Sequence, residues 1–158
     1  MIWWPVVKQR LVVLLPTLED WEGVVVYNGA AKEDRGVKQW ITVGWSQYGP
    51  QGGSRGSGFG DSGSWSNVEE TISDARSEAG TVLCELVVWG GDESLAATYE
   101  ARAFALVNSL DAAIRADETL GVLPYTSTTD LGAEVITAQD KAGAQQRLIL
   151  SVNYTARS

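Results

Sequence analysis

The spacing of hydrophobic residues along this chain changes several times, and each change marks an element. Near the start, Trp4, Val7, Leu11, Leu14 and Leu18 recur at helical steps, with Lys8 and Arg10 off the stripe. Pro5 suits the first turn of a helix and Pro16 its end. Residues 5–15 are therefore predicted helical, with a further turn at 17–20, and the stripe is expected to pack on a sheet. Gly23 opens "VVVYNG", where three valines and a tyrosine favour a strand and Asn28-Gly29 signals a turn. After the polar stretch "AAKEDRG", the run "VKQWITVGW" alternates Gln39, Ile41, Val43 and Trp45 against Lys38, Trp40 and Thr42. That period of two predicts a second strand with both faces partly covered.

Beyond it, residues 46–64 read as a long Gly/Ser-rich loop. A further strand is expected in the second half of 65–76, with Ala79-Gly80 ending it. "TVLCELVVWGG" is the clearest buried strand, bounded by Gly90-Gly91. Asp92 or Ser94 is then expected to cap a long helix. Leu95, Tyr99, Ala103, Leu106, Leu110 and Ile114 form its inward stripe, widened by Ala96, Val107 and Ala113. Asp111 and Arg115 pair on its outside. This helix should run to about Asp117, with Gly121 as its stop. In "GVLPYTSTTDL", Pro124 marks a bulge or an edge position. "AEVITAQDKAGAQQRLILSVNYTA" reads as a hairpin turning at 140–143. In its last strand Leu148, Leu150, Val152 and Tyr154 face one way.

The predicted order is helix, two or three strands, long helix, three strands. Its natural packing is an α+β fold: a single mainly antiparallel or mixed β-sheet, with the N-terminal helix and one long central helix on one face. The Gly-rich loop is an insertion in one domain spanning residues 1–158.

Composition narrows the function. The chain has 158 residues, 44% hydrophobic and 20% charged, in keeping with one soluble domain able to bury roughly 70% of its unfolded surface. The formal net charge is −8, which argues against a grip on nucleic acid. Nine carboxylates and one base, Arg76, lie between Asp61 and Glu100. They are expected to be solvated faces, or alternatively a wall that repels passing DNA. The single cysteine, Cys84, sits in an apolar run and is expected to be a buried, inert thiol. It excludes an intramolecular disulfide framework and a cysteine-based zinc site. The apolar opening is broken by Lys8 and Arg10, too soon to span a bilayer, and it lacks a signal peptide's basic start.

Candidate chemistry is sparse. "GFGDSGS", residues 58–64, places Ser62 in a serine-protease-like setting, but the chain has no histidine to act as its base. Gly58, Gly60 and Gly63 match dinucleotide-loop spacing, yet no amphipathic helix follows them. The acids lack calcium-loop spacing. Glu69-Glu70 and Asp92-Glu93 read as structural carboxylates. No catalytic residue, cofactor or metal is expected. The seven tryptophans stand out. Four or five suit core or loop-base packing, and the remainder suit contacts with another chain. Trp45 and Trp65, which bracket the glycine loop, are the best candidates for the latter.

Three stretches together carry a resemblance: "WITVGW" before the Gly/Ser/Asp-rich loop, "SEAGTVLCELVVWGGDESLAATYEARAFALVNSLDAAIRADETLGV", and "AGAQQRLILSVNYTARS". Over about Gly23 to Arg157 the chain resembles tail terminator proteins, also called tail completion or minor tail proteins, of long-tailed phages of actinobacteria. The resemblance implies a six-fold ring in the virion, at the head–tail junction, assembled in the host cytoplasm. Its partners would be copies of itself, the tail tube protein and the head–tail connector or stopper, with DNA passing through the lumen without specific binding. The glycine loop would reach a neighbouring subunit or the tube, through Trp45, Tyr48, Arg55, Phe59 and Trp65. Two other readings stand beside it: a head-completion or stopper protein, and an enzyme or small-ligand binder.

Overall fold

A computed structural model describes residues 2–32, 36–46, 64–67, 76–90, 93–136 and 144–157. Helix α1 (Trp4–Leu14) starts with Pro5 in its first turn and continues into two short 3-10 turns, Leu15–Thr17 and Glu19–Trp21. Proline fits there because its missing N–H would have no helical partner. Strands β1 (Val25–Asn28), β2 (Gln39–Val43), β3 (Ser64–Asn67) and β4 (Arg76–Gly90) follow, then helix α2 (Ala96–Ala116) and strands β5 (Thr128–Ile136) and β6 (Ala144–Arg157). They form one mixed sheet in the order β1-β2-β4-β6-β5, with β3 also paired to β4. The class is α+β, as the sequence pattern predicts.

Alternation in the central strands decides where the core lies. Val82, Cys84, Leu86 and Val88 of β4 and Leu148, Leu150, Val152 and Tyr154 of β6 point to one face, where they meet both helices. Val7, Leu11 and Leu15 come from the N-terminal helical segment, and Ala103, Leu106, Leu110 and Ile114 from α2. Burying each large aliphatic side chain contributes about 1.5–3 kcal/mol, so the stripe on α2 fixes that helix to the sheet. On the opposite face Leu83, Val87 and Ile149 are buried as well.

Several expectations need correction. Ala79-Gly80 does not end a strand. β4 pairs with β6 without interruption from Ser77↔Arg157 to Gly90↔Ala144. The glycine is there because the Tyr154 ring lies over it, leaving no room for a side chain. The preceding strand, β3, lies at the start of the 65–76 window, and 68–75 fall outside the described residues. Asn28-Gly29 does turn the chain, with Gly29 at φ +97°. The strands on either side of it, β1 and β2, are parallel, so the chain crosses over between them. Among the described residues two strands, not three, follow α2: Pro124 lies in a turn closed by Ser127 N–H donating to its carbonyl at 2.9 Å. The hairpin turn at 140–143 lies outside the described residues. The N-cap of α2 is Leu95, with no side-chain cap hydrogen bond. The 3-10 turn Glu93–Leu95 leads into the helix instead.

The end of α2 is built by side chains that sequence spacing left unassigned. Asp117 accepts from the Thr119 N–H at 3.0 Å and the Thr119 hydroxyl at 2.6 Å. Leu120 then takes φ +55° and Gly121 φ +74°. The strained leucine is buried, and its carbonyl accepts from Arg10 Nε of α1 at 2.8 Å. The Thr119 hydroxyl, and further off the Arg10 charge, hold the Asp117 carboxyl below its usual range. A depressed folded pKa means the stabilisation is present above the ordinary carboxylate range and is lost as pH falls through the folded value. Carboxyl-carbon NMR should therefore show Asp117 titrating later than a free aspartate on acidification, and Thr119→Val should bring it back up.

Candidate functional site

The ends of the 47–63 segment are fixed, and they define the site. β2 pairs with one edge of β4 as far as Val43↔Cys84, and β3 joins that same edge at Ser64↔Ala79. The five residue steps of β4 from Ala79 to Cys84 span roughly 17 Å. Among the described residues this leaves a notch in the sheet edge, beside which groups from α1 and the β2 end sit. Gly44 leaves β2 at φ +81°, a conformation that favours glycine, and donates its N–H to the Leu83 carbonyl at 2.7 Å. A Cβ on Gly44 would stand 2.6 Å from Lys8 Cε. The Lys8 ammonium lies 5.5 Å from the centre of the Trp4 ring, within range of a cation–π attraction. The Trp4 indole N–H donates to the Thr81 carbonyl at 3.0 Å.

One step along β4, Glu78 is buried on the helix side of the sheet. Both of its oxygens lie 2.9 Å from the Trp3 backbone N–H, at the positive end of α1. The Tyr154 hydroxyl donates to Oε2 at 2.6 Å. Burial, then the hydrogen bond and charge of Glu78, push the Tyr154 phenol far up, so it stays protonated. The α1 start, β4 and β6 are thus tied at one buried carboxylate.

The predicted contact residues divide. Trp45 follows Gly44, half-buried, and its carbonyl accepts from the Thr42 hydroxyl at 2.8 Å. The positive φ at Gly44 takes it out of the strand alternation expected for it. Trp65 lies in β3, paired with Glu78 in register. The fold therefore roots both on one edge of β4. Tyr48, Arg55 and Phe59 lie outside the described residues, as do Ser62 and the glycine loop. Sequence reasoning missed Glu78, Tyr154, Trp4, Lys8 and Gly44 as parts of one cluster. The available signal was parity: Glu78 shares the inward period of Gly80, Val82 and Cys84.

The acid-rich stretch is not all a solvated face. Glu78 and Glu85 are each 2% exposed. Glu85 pairs with Arg147 of β6 on the face away from the helices. Asp61, Glu69, Glu70, Asp74 and Asp92 lie outside the described residues. Of the tryptophans, Trp21 is buried, while Trp3, Trp4, Trp40 and Trp89 are half-buried.

A polar groove of about 310 Å³ runs beside Tyr154, lined by residues including Thr81, Glu118, Thr129, Asp130 and Asn153. Its groups bond one another. Thr81 donates to Asn153 Oδ1 at 2.7 Å, the Asn153 amide to Asp130 at 3.0 Å, and Thr129 to the Glu118 carbonyl at 2.6 Å. That is a cross-strand ladder that stiffens the sheet. Among the described residues no group of three or more His, Cys, Asp or Glu could hold a metal ion. No described helix is long and apolar enough to cross a membrane.

No family model and no curated protein matches the chain. The cluster must therefore be read from its own chemistry.

Cys84 lies under Gly44, fully buried, and burial pushes its thiol up to about 12. The thiolate is the reactive form. A thiol reagent at mildly alkaline pH should leave the folded protein unlabelled and modify one equivalent after denaturation. Labelling of the folded chain at the free-thiol rate would contradict this packing.

Proposed function

We propose that this chain is a structural virion protein, a tail terminator. In this reading it forms a ring at the head–tail junction of a long-tailed phage, capping the tail tube and joining it to the head connector. The observation that carries the reading is the double anchoring of the 47–63 segment. The segment leaves after β2 and returns at β3, and both strands pair with one edge of β4. A long segment on a stiff base suits contact with a neighbouring subunit or the tube. Trp45 and Trp65 at its roots, with Tyr48, Arg55 and Phe59 between them, are the proposed contacts. The proposed partners are copies of the chain in a six-fold ring, the tail tube protein and the connector, with DNA sliding through the lumen. The net charge of −8 suits such a lumen, because it repels phosphate. The reading uses no catalytic residue, cofactor or metal. It places the protein in the virion after assembly in the host cytoplasm.

The test is electron microscopy of particles assembled without this chain. Termination predicts overlong tails or tails without heads. Normal tails beside empty or leaking heads would instead favour a head-completion or stopper role. Arg55→Ala and Phe59→Ala should each impair assembly without lowering the melting temperature. Unchanged infectivity after deleting residues 52–60 would remove the segment from the account.

A further inference from the structure

A sheet that packs helices on one face alone is expected to meet water on the other. Here the helix-free face is dry at its centre. Leu83, Val87 and Ile149 are at most 3% exposed, and Thr42 and Glu85 beside them are buried too. Among the described residues, every buried apolar side chain of the helices, the 3-10 turns and the turn after α2 joins the core on the helix side, and Leu83, Val87 and Ile149 lie outside that core. Their neighbours are poor shields. Leu83 stands opposite Ser151, and Ser151 opposite Gly132, a row too short to hide a leucine.

The chain itself turns onto this face. Ile41 and Val43 of β2 point into the core, so Thr42 points the other way, opposite Glu85. The Thr42 hydroxyl donates to the Trp45 carbonyl at 2.8 Å. After the positive φ of Gly44 the backbone has thus folded back over the helix-free side, and Ser46, next along, is fully buried.

Reach decides which stretch outside the described residues lies there. Residues 68–75 join β3 to β4 at Arg76, and 137–143 join β5 to β6 opposite Gly90. Leu83 is roughly 23 Å along β4 from either end. A connection of seven or eight residues, running out and back, extends no more than about 14 Å. Residues 29–38 are taken up by the crossover from β1 to β2. The 47–63 segment alone begins on the patch. Its first residues are Gln47, Tyr48, Gly49, Pro50 and Gln51. The face presents apolar side chains and one donor without an acceptor, Arg147 Nε. Tyrosine suits both, having an apolar ring with an oxygen at its tip.

We infer that the helix-free face at Leu83, Val87 and Ile149 is the seat of the residues that follow Ser46, with the Tyr48 ring laid over Leu83 and Ile149. The contact lies within one chain and holds whether or not the chain forms a ring. It braces the root of the segment and leaves residues 52–60 for the proposed contacts.

Thiol labelling of Leu83→Cys and Ile149→Cys tests the inference, each position reading the cover by itself. The native Cys84, which stays unlabelled while the chain is folded, is the internal blank. Each cysteine is placed in the full chain, in Tyr48→Ser, and in a chain whose residues 47–63 are replaced by a Gly/Ser linker of equal length. With the natural segment both cysteines should react slowly. The linker should speed labelling at least about ten-fold while circular dichroism stays that of the folded chain, and Tyr48→Ser should give an intermediate rate. Comparison within one cysteine variant cancels whatever that cysteine costs the fold. Fast labelling with the natural segment would overturn the inference by showing the face open. Slow labelling that the linker leaves unchanged would overturn it by showing a different cover.

Discussion

Arg147→Met should lower the stability of this protein by about 3–5 kcal/mol, because it breaks a buried ion pair by removing one partner. Glu85 and Arg147 are diagonal neighbours on β4 and β6, since Glu85 pairs with Ile149 and Val87 with Arg147. Their side chains are 3% and 17% exposed. Taking the guanidinium away removes the cation that faces the buried Glu85 carboxylate. In a chain of this size a loss of that order lowers the melting temperature by roughly 10 °C. The pair need not be a net gain for the fold. Arg147 Nε is buried without a hydrogen-bond partner, and such pairs are often matched by apolar residues of similar volume. The double variant Glu85→Leu/Arg147→Met should therefore recover most of what Arg147→Met loses. Urea denaturation of the wild type, both single variants and the double variant gives the coupling directly. Additive losses would show that the two side chains act separately.

Gly80→Ala is the second large effect. An added Cβ would lie 2.5 Å from the Tyr154 hydroxyl oxygen and 2.7 Å from Cζ. The ring is not free to swing aside, because its hydroxyl is held on Glu78. Accommodating the methyl group means overpacking, at about 1–3 kcal/mol, and displacing a hydrogen bond to a buried carboxylate, at about 1–3 kcal/mol more. A total of roughly 2–6 kcal/mol is expected. Gly132→Ala provides the contrast. Its added Cβ would meet nothing closer than 3.8 Å, and its cost should be small. Thermal melts of the two variants side by side check the argument, and similar losses from both would contradict it. Because Glu78 also holds the Trp3 N–H, hydrogen exchange at the start of α1 should rise in Gly80→Ala and not in Gly132→Ala.

These two sites show where the sequence was legible. The stripes of α1 and α2 and the inward face of β6 could be read because each obeys a single period over many residues. Glu78 and Glu85 could not be separated from solvated acids by composition. Their burial comes from the strands beside them, and pairing partners are not local information. The break predicted at Ala79-Gly80 was wrong for a related reason. A glycine within a strand pattern often marks a break, but here it answers to a tyrosine 74 positions further along the chain. The parallel arrangement of β1 and β2 was hidden in the same way, since Asn-Gly turns the chain without saying which way it returns. At the candidate site, Trp45 and Trp65 were singled out because they flank the glycine loop. Their common rooting on β4, and the part α1 takes in it through Trp3, Trp4 and Lys8, depends on tertiary contacts that spacing does not encode.

The most direct test of the account is an electron micrograph of the purified protein, alone and mixed with tail tube protein. The account predicts six-fold rings with an open centre, alone or at the ends of tubes whose growth they stop. Scattered single particles in both samples, with tubes that lengthen unchecked, would contradict it.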